Sequence, residues 1–384
     1  TNRRLREEAF SAWSSRGELD GDTNNEAIIA ETLALRAEKA RLLGFENFAQ
    51  YKLDDTMAKT PANVRELLTK VWEPAVAQAR EEQDKLAEMA ANVGENHAIE
   101  AWDWRFYAEK VRKAEHDLDE AELKPYLQLE NMIDAAFDTA TRLFGVTFRE
   151  LDGMPVYHPD VRVYEVLGPN GDHVGLFLGD YFARPSKRSG AWMTAFRSQH
   201  KLDGDVTPII VNVMNFSKGA PGEATLLTFD DARTLFHEFG HGLHGLLSDV
   251  TYPMISGTSV ARDFVELPSQ LYEHWLSEPE VLSRFATHYK TGEAMPEALL
   301  EKLLAAANFN QGFATVEYTA SALMDLELHL LEDPGDLDIR SFEETELGKI
   351  GMPGAITMRH RIPHFQHVFS GDGYSAGYYS YMWS

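Results

Sequence analysis

Apolar residues recur at intervals of three and four through most of the first 150 positions, the spacing that places side chains on one face of a helix. Ile29, Leu33, Ala37 and Ala40 mark one such helix, and Gly44 offers its C-terminal stop. Val64, Leu67, Leu68, Val71 and Trp72 mark another, with Glu, Lys and Arg on its remaining faces and a kink expected at Pro74. Trp102, Trp104, Phe106 and Tyr107 crowd one short stretch and are expected in a core. From about 155 to 216 the period falls to two. Val161, Val163 and Val166 precede Gly168-Pro169-Asn170-Gly171, and Val174 to Leu178 follow, which predicts a β-hairpin; Ile209 to Met214 supplies a further strand. An edge of this sheet could hold an extended peptide by strand addition, or the sheet could be purely structural. After 221 the helical period returns. Thr228 and Asp231 have the spacing of a capping box, and Ala232, Leu235, Phe236, Phe239, Leu243 and Leu247 follow on one face. The expected protein is therefore mainly α: a helical region over 1–150, a small β-sheet region over 151–220 and a second helical region over 221–384.

Composition narrows what such a protein can do. Its 36 basic and 61 acidic residues give a net charge of -25, which repels phosphate backbones and argues against a nucleic-acid partner. With no cysteine, disulfides, thiolate metal sites and cysteine nucleophiles are excluded. No run of about eighteen apolar residues occurs, and the opening TNRRLREEAF lacks the apolar stretch of a signal peptide, so no membrane association and a cytoplasmic location are expected.

The chemistry concentrates in the run His237-Glu238-Phe239-Gly240-His241. On a helix, side chains four apart lie one turn apart on the same face, so both imidazoles can reach a single ion while Glu238 stands beside it. Two His and one carboxylate leave a position for water, the pattern of a catalytic rather than a closed zinc site. Glu238 is placed to act as general base. Glu266, in DFVELPSQ, could be the third ligand, but Asp263 and Glu266 also have capping-box spacing, and from spacing alone the two readings stand level. His244, three residues on, could be taken for a third ligand, but longer three-His patterns need a Gly-containing spacer, so it reads as packing or as a residue behind the ligands. Near the end, Ser370-Gly371-Asp372-Gly373 forms a flexible loop between His367 and Tyr374, followed by Tyr378, Tyr379 and Tyr381, whose hydroxyls could serve an oxyanion.

The stretches LFHEFGHGLHGLL, SGTSVARDFVELPSQLYEHW and HVFSGDGYSAGYYSYMWS together resemble the thimet oligopeptidase and neurolysin family of zinc metallopeptidases. Within it, WDWRFYAEKVR, DYFARPSKRSGAW and DFVELPSQ look closest to the bacterial peptidyl-dipeptidases of the Dcp type. The resemblance implies a neurolysin-like, two-lobed helical zincin with the small sheet beside the HExxH helix, acting on short unfolded peptides as a monomer. It implies one zinc ion per chain on His237, His241 and Glu266, with Glu238 as base, Tyr381 as the transition-state tyrosine, and Tyr374 and His367 as neighbours that contact substrate. Members of that family are longer, so a further N-terminal helical portion and a C-terminal tail beyond these residues are expected.

Release of C-terminal dipeptides requires a cation for the substrate carboxylate, and Arg359 and Arg361 are the candidates. Two alternatives stand beside this reading: an oligopeptidase that cuts internal bonds with the same metal, and an inactive helical module that only binds peptides.

Overall fold

The computed structural model describes residues 2–384, which form two compact units interleaved along the sequence. Among the described residues, 2–117, 261–264 and 307–383 make the first unit, and 118–260 and 265–306 the body of the second. The consecutive regions 1–150, 151–220 and 221–384 follow changes of period along the chain, whereas the units are assembled by contacts across it. The helix Leu129–Phe144 thus belongs with the sheet, and the helix Gln311–Leu330 with the N-terminal helices.

Among the described residues, the regular elements of the first unit are helices. Its helices include Arg3–Ser14, Glu26–Leu42, Pro61–Asn92, Ala101–His116, Gln311–Leu330 and Ile339–Lys349. Glu26–Leu42 ends as its glycine predicts: Gly44 has φ +88 and the Phe45 amide returns to the Ala40 carbonyl. The helix Pro61–Asn92 runs on through Pro74. Leu68, Trp72, Ala75, Ala79 and Leu86 on it are buried with Phe313, Val316, Ala320 and Leu323 of Gln311–Leu330. Contact is that close because Gly312 has no side chain: a Cβ there would lie 2.5 Å from the Ala79 nitrogen. Glu82 accepts the Gly312 and Phe313 amides at 2.9 and 2.8 Å and so closes the start of that helix in place of a local cap. Trp104 is fully buried and stacks on Phe313 at 4.9 Å, as expected of the aromatic cluster.

The second unit wraps helices around a five-stranded sheet. Its strands are β1 (Thr147–Glu150), β2 (Arg162–Leu167), β3 (His173–Phe182), β4 (Trp192–Arg197) and β5 (Ile209–Phe216), in the order β1-β2-β3-β5-β4. β2 and β3 are the predicted hairpin, turned at Gly171 with φ +80, and only the β3–β5 pair is parallel. Alternation divides the faces. Phe177, Ile210 and Met214 join the main core with Phe236, Phe239 and Leu243 of the helix Phe229–Leu246, while Leu178, Val211 and Val213 join a smaller cluster with Val161 and Val163. The sheet therefore lies against the HEFGH helix, as the sequence suggested. Among the described residues no helix is long and apolar enough to cross a membrane.

Candidate metal centre

The helix Phe229–Leu246 begins with the predicted capping box: Asp231 N–H donates to Thr228 Oγ1 and Thr228 N–H to Asp231 Oδ2, both at 2.9 Å. Its other end is packed on two sides through glycines. At Gly245 a Cβ would meet Ile210 and Met193 side-chain atoms at 2.7 Å, so the sheet sits directly on the backbone. At Gly240 a Cβ would lie 2.6 Å from Ser269 Cα and 2.9 Å from the Pro268 carbonyl. The glycine inside HEFGH is thus what lets the next helix, Leu267–Leu276, lie against this one.

That approach delivers Glu266. It occupies the N-cap position of Leu267–Leu276 but makes no side-chain cap; its carboxylate turns to the imidazoles instead. Glu266 Oε2 lies 3.2 Å from His237 Nε2 and 3.1 Å from His241 Nε2, and the two rings stand nearly perpendicular with centroids 4.9 Å apart. Ser269 Oγ donates to the Glu266 carbonyl at 2.8 Å and to its carboxylate at 3.2 Å. Asp263, the alternative partner in the capping-box reading, instead accepts the amides of Met57 and Ala58.

The donors suit an ion. One ligand atom from each of His237, His241 and Glu266 lies within 4.8 Å of the others. Ligands on a tetrahedron with bonds of about 2.0–2.1 Å would be about 3.3–3.4 Å apart, close to the nitrogen–oxygen separations found here.

The electrostatics agree. Burial pulls the His237 ring down, but hydrogen bonds to Glu266 and Glu273 and the Glu238 charge outweigh it and push its pKa up to about 10. Burial pushes Glu266 up, yet hydrogen bonds and charge from both imidazoles hold its carboxyl far below the usual carboxylate range. Both shifts show a pocket that favours positive charge between these groups. Glu238 is 6% exposed, and its carboxyl is raised first by burial and then by the Glu266 and Glu273 charges, against the two imidazoles. Its Oε2 is buried with no hydrogen-bond partner, a costly state unless something that enters the site completes it.

Sequence reasoning missed Glu273, whose Oε1 lies 2.6 Å from His237 Nδ1. The carboxylate accepts a hydrogen bond from that N–H, which fixes the ring and points Nε2 toward Glu266. Its signal was present: Glu266 and Glu273 are seven apart, two turns along one helix face.

The sequence profile described as Peptidase family M3 matches residues 1–384. The chain belongs to this family. Among curated M3 relatives, the dipeptidyl carboxypeptidase of Escherichia coli is 44% identical over all of this chain and 56% of its own length. Oligopeptidase A of Escherichia coli is 38% identical over all of this chain and 57% of its own length, and saccharolysin of Saccharomyces cerevisiae 32% over 94% and 53%. The chain thus spans about half the length of the M3 relatives it matches.

The remaining predicted residues lie in the first unit. Tyr374 and Tyr381 stack face to face at 5.6 Å, His367 packs edge-on to Tyr374 at 6.1 Å, and Arg262 sits over the Tyr374 ring at 4.8 Å. Three of the residues singled out on the C-terminal segment thus form one aromatic group, with His367 exposed. Arg359 is exposed, and its backbone amide donates to the Glu317 carbonyl. Arg361 differs from its expectation as a carboxylate anchor: its guanidinium already donates to Glu18, Glu343 and the Ser14 carbonyl, so little of it remains for a ligand. His244, read as packing, is partly buried and pulled down in pKa by that burial.

Proposed function

We propose that this protein is a zinc peptidase acting on short peptides, and that it releases dipeptides from a free C-terminus. The observation that carries this reading is the convergence of His237, His241 and Glu266 beside a buried Glu238 whose Oε2 has no partner. When bound, zinc supplies Lewis-acid polarisation of a carbonyl and lowers the pKa of water toward roughly 7. The protein's own groups do the rest. Glu273 fixes the His237 ring and Ser269 steadies Glu266. Glu238 Oε2 takes the proton of the attacking water and returns it to the leaving amine, a return that its raised pKa favours.

To Tyr381 we assign donation to the developing oxyanion, with Tyr374 and His367 as substrate contacts. Their support is the family membership and their grouping on one segment. Arg359, exposed and without the ion pairs that occupy Arg361, is assigned the terminal carboxylate of the peptide. The dipeptidase reading is favoured over internal cleavage by identity: 44% to a relative named dipeptidyl carboxypeptidase against 38% to one named oligopeptidase A. One zinc per chain, a monomer, a cytoplasmic location and no nucleic-acid partner complete the proposal.

The test is a Glu238→Gln variant assayed on a quenched peptide with metal analysis alongside. It should retain zinc and lose turnover by roughly 10²–10⁴-fold. On the parent enzyme, internal cleavage of a C-terminally amidated peptide as fast as its free acid would replace the dipeptidase by an oligopeptidase.

A further inference from the structure

The segment that carries His367, Tyr374 and Tyr381 is held from below by three buried polar side chains that no step above uses. Asp325, 1% exposed on the helix Gln311–Leu330, accepts the Ala376 and Tyr378 amides through its two carboxylate oxygens, both at 2.9 Å. Arg36, 8% exposed on Glu26–Leu42, donates from Nη2 to the Val368 and Gly371 carbonyls at 2.7 and 2.8 Å. His329, 1% exposed, joins the two: its Nε2 lies 3.0 Å from Arg36 Nη1 and its Nδ1 2.8 Å from the Asp325 carbonyl oxygen. Because a guanidinium only donates, Nε2 must accept, which leaves the His329 proton on Nδ1.

Phe48 and Phe369 flank the guanidinium, with centroids 5.4 and 5.5 Å away. A buried cation is expensive, and here two of its contacts go to backbone carbonyls, one in the helix Gln366–Phe369 and one in the loop after it. Asp325 meanwhile fixes a strained point. Ala376 has φ +54, a left-handed conformation that a non-glycine residue keeps only where its surroundings hold it there.

We infer that Arg36, His329 and Asp325 are positioning residues for the Tyr374–Tyr381 segment: they fix its backbone so that the tyrosine hydroxyls are presented in one geometry. This rests on the proposed role of Tyr381 and deepens it. A displacement of about 1 Å at such donors is enough to lower a rate by on the order of 10²-fold.

The test uses Asp325→Asn and, as a second variant that keeps charge and bulk, Arg36→Lys, each as the zinc-loaded protein. Native-state hydrogen exchange should show the Ala376 or Tyr378 amide exchanging at least about 10-fold faster in Asp325→Asn, while amides of the helix Pro61–Asn92 keep their protection. In both variants kcat should fall by about 10–100-fold, by a larger factor than KM rises, with zinc content unchanged. Unchanged exchange at those amides, or faster exchange with kcat unaltered, would overturn the inference. So would equal losses in kcat and folded fraction. If the parent protein binds zinc but cleaves no peptide, the peptidase reading falls alone, and exchange at Ala376 and Tyr378 still decides whether the network holds the segment.

Discussion

The helices Phe229–Leu246 and Gln311–Leu330 are both buried on nearly every side, and both carry acids and histidines into that burial. In the second, the charges are closed. Asp325 takes two backbone amides, His329 has a partner on each nitrogen, and Glu317 meets Arg105 at 2.9 Å. The first is left open: Glu238 Oε2 has no partner, and three carboxylates surround two imidazoles. Burying polar groups costs free energy in both places unless they are paired. The closed set recovers that cost inside the protein and makes structure, whereas the open set recovers it only when a cation and a substrate arrive, which makes chemistry.

The hardest blow to the contrast removes one of the open ligands. His241→Ala should abolish stoichiometric zinc binding and, with it, turnover by more than about 10³-fold, measured by metal analysis and peptide cleavage on the same sample. A variant that still holds one zinc per chain would show that the open set is not the metal site. Glu273→Gln is milder, because it weakens the group behind His237 without touching a ligand. It should cost about 10–100-fold in zinc affinity or activity, read by competition with a chelator. Gly240→Ala examines the packing that makes the site possible. Its methyl group would meet Ser269 Cα at 2.6 Å, so unfolding free energy should drop by roughly 1–3 kcal/mol, and metal affinity should fall as Glu266 is pushed back.

The last test concerns His360, in the first unit. Burial, helped by the charges of His367 and Arg359, pushes the His360 imidazole down to about 3. The unfolded chain binds that proton near pH 6.5, so the stability contributed by the neutral ring is present above about 6.5 and lost as the pH falls toward 3. Urea titrations at stepped pH should show wild type losing up to about 1.4 kcal/mol per pH unit in that window, and His360→Gln losing measurably less. Equal slopes would mean that this ring is not the acid-sensitive element.

Much of this was legible because it is local. HEFGH, its capping box and the hairpin at Gly171 all follow from residues within a few turns of one another, and the structure shows each of them. Glu266 was only half legible. Its spacing from Asp263 suits a cap as well as a ligand, and the deciding fact is the close approach of two backbones at Gly240. Arg361 looked available because its partner Glu18 is more than three hundred positions away. The division into units was out of reach for the same reason: Leu129–Phe144 and Gln311–Leu330 have ordinary helical periods, and nothing in a period says which distant surface it will cover.

Interleaving also sets an order for biogenesis. While a ribosome is still extending the polypeptide, the helices between Arg3 and His116 emerge well before Gln311–Leu330, and the apolar faces around Ala79, Leu86 and Trp104 wait for Phe313 and Val316, encoded some two hundred codons later. Residues 118–306 need far less delay. Nascent chains arrested before Gln311 should therefore be the ones that engage chaperones most persistently, with the sheet-bearing half already folded behind them.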